Sequence, residues 1–390
     1  MRNLSDTDTV ILKKKTERIK AGFALSAAEK IKRSKRNSDD VQMYFEQILK
    51  AHHAVGASMV LVHADGGQEV FCYGKARCHP KVIVDRQTCF RIASVTKLVS
   101  TFGILALAED GLLSLDEDIS GLLGFRVCNP HFPGQKVTLR MLLTHTSGIR
   151  NVELVSKTPK PLEERLKDPE IWCETFPGEN FLYSNLAAGL AGTVAEHAGG
   201  CDFNTLMQKR VFGPLGVCAA YGAHLMPGDR MIADGYSVHW PLPPIKKYDA
   251  IYQSGQKDME QYGLNAVTTV GRLITDPDGM AAFIHLLGAR EDTGILKLES
   301  IKEMRTCQDG ISGVIHAGRG LNVSFLHGII PGHDLVGHQG VAYGMCSELF
   351  VDPSNGSGIG IMINGVQLDH NVLQGVGVEL LTLGCLALEH

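Results

Sequence analysis

The chain has 390 residues, of which 44% are hydrophobic and 21% are charged, and its formal net charge at pH 7 is -4. This content can fill one large domain or two interleaved ones, and the small net charge gives no global reason to expect nucleic acid or a membrane surface as a partner. The ten cysteines include no Cys-x-x-Cys pair, which indicates reduced thiols in a reducing compartment. No apolar run is long enough for a signal peptide or a membrane helix, so we expect a cytoplasmic protein without a membrane span.

Residues 1–40 are polar, helix-prone and basic. Between Lys13 and Arg36, ten basic residues stand against only two acidic ones, Glu17 and Glu29. Such a segment is typical of a solvated helical extension, and also of an arm that docks on an anionic partner or a second subunit. We therefore interpret 1–40 as a basic helical N-terminal extension outside the globular part.

Hydrophobic periodicity predicts the elements of the globular part in chain order. The first are an amphipathic helix and two strands joined by the turn Asp65-Gly66-Gly67. Residues 224–268 follow no regular pattern, and loops of that length are usually functional lids or disordered segments. The predicted helices are 41–52, 98–108, 137–148, one that opens within 181–185 and runs to 200, and 372–387, and the predicted strands are 57–63, 69–73, 335–338, 347–351 and 359–364.

A serine and a lysine stand at the start of a long apolar helical pattern. The stretch Phe90-Arg91-Ile92-Ala93-Ser94-Val95-Thr96-Lys97 precedes an apolar run that stops at Asp110-Gly111. Ser94 lies in the first helical turn, where the helix dipole favours negative charge. Lys97 projects from the same face, and a lysine partly removed from water can take the proton of a serine hydroxyl. This arrangement predicts Ser94 as a nucleophile and Lys97 as its base.

The Ser-x-x-Lys pattern is a weak signal alone, because a serine that only caps a helix looks the same. A second match, Ser254-Gly255-Gln256-Lys257, lies in a polar stretch with no apolar helix after it, and we interpret it as chance. The chain contains no His-Glu-x-x-His, phosphate-loop or Gly-x-Ser-x-Gly motif. We therefore expect neither a metal nor a cofactor.

With Ser94-Val95-Thr96-Lys97, several further segments give the chain a family resemblance. It resembles the serine β-lactamase and penicillin-binding-protein superfamily, in the branch of class C β-lactamases, D-alanyl-D-alanine carboxypeptidases, D-aminopeptidases and lactamase-fold esterases. The resemblance runs from about residue 41 to the C-terminus. In it, His145-Thr146-Ser147-Gly148 matches a family segment with a structural role. The segments that carry the resemblance are 138–149, 183–200, 211–216 and 337–352.

The second family motif, Tyr-x-Asn, is matched by Tyr183-Ser184-Asn185, which is the only such pattern among the nine tyrosines. The resemblance implies that the phenol of Tyr183 shares the proton of Ser94 and later protonates the leaving group. It also implies that Asn185 donates to a substrate carbonyl and orients Lys97.

The third family motif is Lys-Thr-Gly in many members and His338-Gln339-Gly340 here. A histidine also occurs at this place in the carboxypeptidase and D-aminopeptidase branches. Because histidine is only conditionally charged, it is a poorer fixed anchor for a drug carboxylate, which argues against a dedicated β-lactamase. Gly340 would let substrate backbone lie along the strand, and the resemblance implies an oxyanion hole formed by the amides of Ser94 and Val341. We therefore predict His338, Gln339, Gly340 and Val341 as substrate-binding residues.

The resemblance implies an α+β fold of the β-lactamase/transpeptidase type, with an antiparallel sheet flanked by helices and a mostly helical inserted lobe. We expect one lobe from 41–112 with 270–387 and a second from 113–269, including the loop 224–268. The active site would lie where the two lobes meet.

The predicted function is that of a serine hydrolase that forms an acyl-enzyme on Ser94 and acts on peptides or amides containing a D-amino acid. One alternative is a carboxylesterase or weak β-lactamase of the same fold. Another is a non-catalytic sensor that binds β-lactams or peptides, although intact Ser94, Lys97 and Tyr183 argue against it. The expected partners are a small-molecule or short-peptide substrate and β-lactams as covalent ligands.

Three residues near these motifs carry weaker expectations. Cys89 and Cys346 flank site segments and are interpreted as packing thiols. Arg272 stands where a Gly-Gly-Leu-x-Ser-Thr element of the family has its second glycine, which leaves the local geometry there open.

Overall fold

The computed structural model describes residues 38–151, 161–236, 268–308, 319–330, 332–342, 344–366 and 375–389. Nearly all of the basic extension, most of the loop 224–268 and the second Ser-x-x-Lys match lie outside the described residues, so the expectations for them stay predictions. Within the part of the chain that is described, no helix combines the length and the apolarity that a membrane crossing requires.

Two antiparallel sheets form the β structure. The larger has seven strands in the order β3-β2-β1-β10-β9-β8-β7, and the smaller has three in the order β4-β6-β5. The large sheet is built from both ends of the chain, which meet where β1 pairs with β10. The strands are β1 Gly56–Val62, β2 Gln68–Arg77, β3 Val82–Ile83, β4 Phe90–Arg91, β5 Ala219–Ala220, β6 Ile274–Thr275, β7 Ser324–Ile330, β8 His333–Ala342, β9 Met345–Val351 and β10 Gly358–Ile363.

The expected hairpin and the three expected C-terminal strands are all present, although several extend further than predicted. Strand β7 was not predicted. Its alternation is broken at His327 and Gly328, which are both exposed. Gly328 has a φ of 66°, and the pairing with β8 shifts register between Leu326 and Ile330. This irregularity removes the period-two pattern by which a strand is recognised.

Helices cover both faces of the large sheet. The predicted helix over 137–148 is wrong in length, because the helix ends at Leu143 and His145 takes the left-handed conformation with a φ of 59°. The first helix begins three residues earlier than expected, at Ser38. The helices are α1 Ser38–Ala51, α2 Val95–Glu109, α3 Ser120–Leu123, α4 Leu139–Leu143, α5 Leu162–Leu166, α6 Asn185–Gly199, α7 Phe203–Met207, α8 Gly213–Leu215, α9 Thr268–Gly271, α10 Pro277–Gly288, α11 Leu298–Met304 and α12 Val376–Leu388, with short 3-10 turns at Pro169–Ile171 and Ala223–Leu225 and a π turn at Gln208–Phe212.

The core is organised around α2. Helices α2 and α10 pack on one face of the large sheet, and α1 and α12 pack on the other. Every residue of α2 from Val95 to Leu107 is buried, so this helix is enclosed on all sides. One apolar cluster joins sheet residues such as Val60 to residues of the helical part such as Leu139 and Leu190. The two predicted lobes therefore share a continuous core, and their boundaries stay a prediction.

Glu348 is a fully buried carboxylic acid in the large sheet. It lies in β9, and neither of its carboxyl oxygens has a hydrogen-bond partner among the described residues. A β-carbon at Gly377 would lie 2.0 Å from Oε1, so the carboxyl group packs directly against the start of α12. Burial raises the pKa of Glu348 to about 8, because the ionised form would lose its water without gaining a partner.

This raised pKa predicts that Glu348 makes folding stability fall with increasing pH. The folded chain keeps the proton while the unfolded chain releases it near the ordinary value of about 4.3, so the stabilisation is complete at low pH and is lost as the pH rises through about 8. Glu348→Gln should remove this dependence. As the pH rises from about 4.3 to about 8, the free energy of unfolding of Glu348→Gln should increase relative to that of wild type, by at most about 1.4 kcal/mol per pH unit.

Urea unfolding between pH 5 and pH 9 measures the difference. Glu299→Gln, a matched change at an exposed position of α11, should run parallel to wild type. Parallel curves for wild type and Glu348→Gln would contradict a protonated buried Glu348.

Candidate active site

Ser94 lies between the end of β4 and the first residue of α2. Ala93 just before it has a φ of 43°, an unfavourable left-handed conformation for a residue with a β-carbon. Such strain is retained where the surroundings fix it, and it is common at functional sites. The Ser94 hydroxyl makes no capping hydrogen bond to α2, and the residue is half-buried. The hydroxyl is therefore not needed to cap the helix and can take part in chemistry.

Lys97 is completely buried, and its amine contacts Ser94. Its Nζ lies 3.1 Å from Oγ of Ser94 and donates to the carbonyl of Val270 at 2.9 Å. Burial lowers the pKa of Lys97 below that of an ordinary lysine, Tyr183 raises it in part, and the charge of Arg91 lowers it further. A lowered pKa makes the neutral form of the amine more accessible, and in that form the amine can accept a proton.

Tyr183 completes the arrangement around Ser94. Its hydroxyl lies 3.0 Å from Oγ of Ser94, and the Nζ of Lys97 lies 5.1 Å from the centre of its ring. The tyrosine stands just before Ser184, whose Oγ accepts from the amide of Ala187 and so caps α6. The structure thus brings Ser94, Lys97 and Tyr183 into mutual contact, although the last is far away in sequence.

Asn185 is the first residue of α6, and its Oδ1 makes no hydrogen bond to Lys97. This Oδ1 is buried with no hydrogen-bond partner among the described residues, and the main-chain amide of Asn185 donates to Oδ1 of Asn151 at 3.1 Å. The Lys97 amine donates to the carbonyl of Val270, and the expected role of Asn185 in orienting Lys97 stays a prediction. The predicted contact of Asn185 with a substrate carbonyl stays a prediction.

Gly340 brings strand β8 close to Ser94. A β-carbon built there would lie 2.6 Å from the amide nitrogen of Ser94 and 2.6 Å from the carbonyl of Ile92. Any other residue would therefore push the strand away. In the described part of the chain the Ser94 amide has no acceptor, and Val341 follows Gly340 directly. This proximity is compatible with the predicted oxyanion hole, which itself stays a prediction.

The side chain of Gln339 lies on the other face of the sheet. It is paired across the strands with Glu348, which packs against α12 rather than against α2, and residues directly opposite in a ladder share one face. Its Oε1 is buried without a partner in the described residues. The prediction that Gln339 binds substrate can therefore rest only on its main chain.

His338 lies on the same face as Gly340 and borders Tyr183. It is 7% exposed, and its ring centre is 6.5 Å from that of Tyr183. Its Nδ1 lies 2.5 Å from the carbonyl of Gln339. Because a carbonyl only accepts, Nδ1 carries a proton, and the charge of the ring depends on Nε2.

The sequence interpretation missed the residues that support Lys97 from behind. Val270 and Gly271 end α9, and the guanidinium of Arg91 donates through Nε to the Gly271 carbonyl. Asn322 donates to the Lys97 carbonyl at 3.3 Å. Only the Gly-Gly-Leu-x-Ser-Thr resemblance near Arg272 could have indicated the end of α9 as part of the site. A main-chain carbonyl is present in every residue type, so the sequence does not show which one accepts from Lys97.

The two cysteines that flank the site are packing thiols, as expected. Burial raises the pKa of both Cys89 and Cys346, so both are protonated.

Sulfur atoms of Cys89 and Cys218 and a carboxylate oxygen of Asp276 lie within 4.8 Å of one another, a spacing that a soft metal ion could bridge. However, the oxygens of Asp276 already accept from the Gly279 amide at 2.9 Å and from Arg230 at 3.1 Å. Both oxygens of Asp276 are therefore already engaged in hydrogen bonds.

A family model described as Beta-lactamase matches residues 41–378. The chain is 29% identical over 204 residues to the D-alanyl-D-alanine-carboxypeptidase/endopeptidase AmpH of Escherichia coli (strain K12), which covers 50% of this chain and 52% of that protein. It is 34% identical over 157 residues to lovastatin esterase of Penicillium rubens, which covers 32% of this chain and 37% of the esterase. The chain thus spans about half, or less, of the length of these relatives.

A solved structure supports the fold. The D-amino acid amidase from Ochrobactrum anthropi SV3, in complex with L-phenylalanine, superposes with a TM-score of 0.69 at 21% identity over 90% of this chain and 97% of that chain. At this identity the likeness shows the fold alone. The predicted β-lactamase/transpeptidase-like fold and the predicted family resemblance are both confirmed.

The contact between Gly340 and Ser94 predicts that Gly340→Ala impairs turnover. The added methyl group would lie 2.6 Å from the Ser94 amide, and a displacement of about 1 Å at a reacting centre can cost on the order of 100-fold in rate. We expect kcat with an activated ester to fall by at least about tenfold in a folded protein. Gly121→Ala is the matched control, since a β-carbon there meets only open space. Wild-type kcat for Gly340→Ala would show that β8 does not press on the nucleophile.

Proposed function

The chain belongs to the beta-lactamase family of serine hydrolases, and from this premise we propose that it hydrolyses peptides or amides containing a D-amino acid through an acyl-enzyme on Ser94. One observation carries the proposal. The hydroxyl oxygen of Ser94 lies within hydrogen-bond distance of both a fully buried lysine amine and a tyrosine hydroxyl. A serine that only caps a helix needs neither neighbour.

In acylation, the neutral amine of Lys97 accepts the proton of Ser94 as Oγ attacks the substrate carbonyl carbon. The carbon–nitrogen bond then breaks, and the leaving amine takes a proton delivered from Lys97 through Tyr183, whose hydroxyl contacts the same oxygen. In deacylation, water attacks the ester carbon and gives a proton to the same pair; the bond from Oγ to the carbon breaks, the carboxylic acid leaves, and the pair returns the proton to Oγ of Ser94. The three protein groups in these transfers are already in contact.

Negative charge on the carbonyl oxygen would be stabilised by the amides of Ser94 and Val341. Support comes from the Gly340 contact, which puts the main chain of β8 beside the Ser94 amide. The Ser94 amide also lies at the N-terminus of α2, where the helix dipole favours an anion. No charged side chain is needed for this step.

The preference for amides with a D-amino acid rests on His338 and on the similarity to the carboxypeptidase. His338, in the position where many members have lysine, lies beside Tyr183 and offers a conditional rather than a fixed charge. We propose that it contacts the carboxylate or carbonyl end of the substrate. A carboxylesterase is the second candidate, and the 34% identity to lovastatin esterase favours it.

Ser94→Ala should abolish covalent labelling by a fluorescent penicillin and lower turnover on the order of 1000-fold or more, because loss of a nucleophile disables the whole catalytic unit. Ser254→Ala, in the other Ser-x-x-Lys match, is the control and should label and turn over normally. If Ser254→Ala were the inactive variant, the assignment of Ser94 would be wrong. A protein that is labelled but never turns over would be a sensor rather than an enzyme.

Assays of the wild-type protein on a matched panel of substrates, with Ser94→Ala as the inactive control, would identify the substrate class. The panel pairs each D-amino acid amide with its free-carboxylate dipeptide and its short ester, and adds the L-enantiomers and nitrocefin. A higher kcat/KM for D-amides than for L-amides or esters is expected. If the protein instead preferred esters to amides and did not distinguish D- from L-enantiomers, the carboxylesterase function would be established.

A further inference from the structure

His145 binds the chain on both sides of Tyr183. Its carbonyl accepts from the amide of Leu182 at 2.7 Å, and its Nδ1 accepts from the amide of Ser184 at 3.2 Å. The residues immediately before and after Tyr183 are therefore both attached to one histidine. This pair of hydrogen bonds fixes where the main chain of Tyr183 lies.

The His145 ring also sets the plane of the phenol. Its centre lies 4.5 Å from that of Tyr183 at an interplanar angle of 39°, and Phe181 packs edge-on against it at 6.0 Å. The phenol hydroxyl lies 3.0 Å from Ser94 at the other end of the ring. We propose that His145 is a positioning residue that keeps the phenol of Tyr183 aimed at Ser94. This inference rests on the proposed function, in which Tyr183 transfers a proton.

The histidine performs this role in its neutral form. Because Nδ1 accepts from an amide, the ring proton resides on Nε2. Burial lowers the pKa of His145 well below its usual range, and Lys97, His338 and Arg319 lower it further whenever they carry a positive charge. Nε2 is buried with no partner among the described residues, so the only side-chain hydrogen bond shown for this ring is the one to Ser184.

The backbone of His145 shows how the fold places the ring. Its φ of 59° is left-handed and unfavourable for a histidine. The amide of His145 donates to Leu142 at 3.3 Å and that of Thr146 donates to Met141 at 2.8 Å, and together they close α4 at this point. The strained turn ends the helix and presents both the carbonyl and the ring to Tyr183, as expected where strain supports a site.

Two substitutions separate the contacts of His145. His145→Asn keeps an acceptor near the position of Nδ1 and tolerates a positive φ, but it removes the ring. His145→Phe keeps the ring and removes the acceptor. In folded variants, kcat should fall by about 10- to 100-fold with little change in KM, because the phenol is misplaced while the residues that contact substrate are intact. His285→Asn, the same change at an exposed position of α10, should retain wild-type kcat.

A double-mutant cycle with Tyr183→Phe decides between positioning and general stability. His145→Asn should lower kcat little further in the Tyr183→Phe background, because the hydroxyl that it orients is already absent. An equal loss in both backgrounds, or wild-type kcat in both folded His145 variants, would overturn the proposal. Tyr183→Phe with wild-type kcat would instead contradict the proposed function itself. Independent of any variant, histidine 15N NMR should find His145 as the Nε2–H tautomer, and an Nδ1–H tautomer would contradict the proposed contact.

Discussion

The burial of one amine, that of Lys97, is the constraint on which the site depends. An ammonium group with no access to water and, in the described part of the chain, no carboxylate partner is costly, and the cost falls when the group releases its proton. The surroundings supply a serine oxygen and the carbonyl of Val270, which satisfy a neutral amine without stabilising a charged one as a carboxylate would. The buried guanidinium of Arg91 disfavours the charged form further. The same burial that makes α2 the centre of the core therefore also lowers the pKa of the amine that we propose as the base for Ser94.

The rest of the fold places main-chain and ring groups around this pair. Strand β8 reaches Ser94 because residue 340 has no side chain. The left-handed turn at His145 binds the chain around Tyr183, and Val270 near the end of α9 supplies the carbonyl for Lys97. The large sheet is assembled from the two ends of the chain, so the approach of β8 to Ser94 depends on pairings between distant segments.

The sequence predicted most of the features that can be recognised from the identity and spacing of residues. The Ser-x-x-Lys spacing, the Tyr-x-Asn pattern and the apolar run of α2 each led to elements that the structure contains. Features that depend on the position of the main chain were missed. Among them are the Val270 carbonyl near Lys97 and the end of α4 before His145. The side chain of Gln339 was grouped with the site because it is adjacent to His338, but the period of a strand sends neighbours to opposite faces. Helix α10 was also missed, although Asp276 and Pro277 form a capping signal that could have predicted it.

The most direct test of this account is an NMR titration of the Lys97 amine. Lysine labelled with 13C at Cε can be incorporated into the whole chain, and Lys97→Met identifies the resonance by its disappearance. We predict that Lys97 titrates below the ordinary lysine value of about 10.4, because burial lowers its pKa. A resonance that stays in the charged form up to or beyond that value would contradict a neutral Lys97 and, with it, the activation of Ser94.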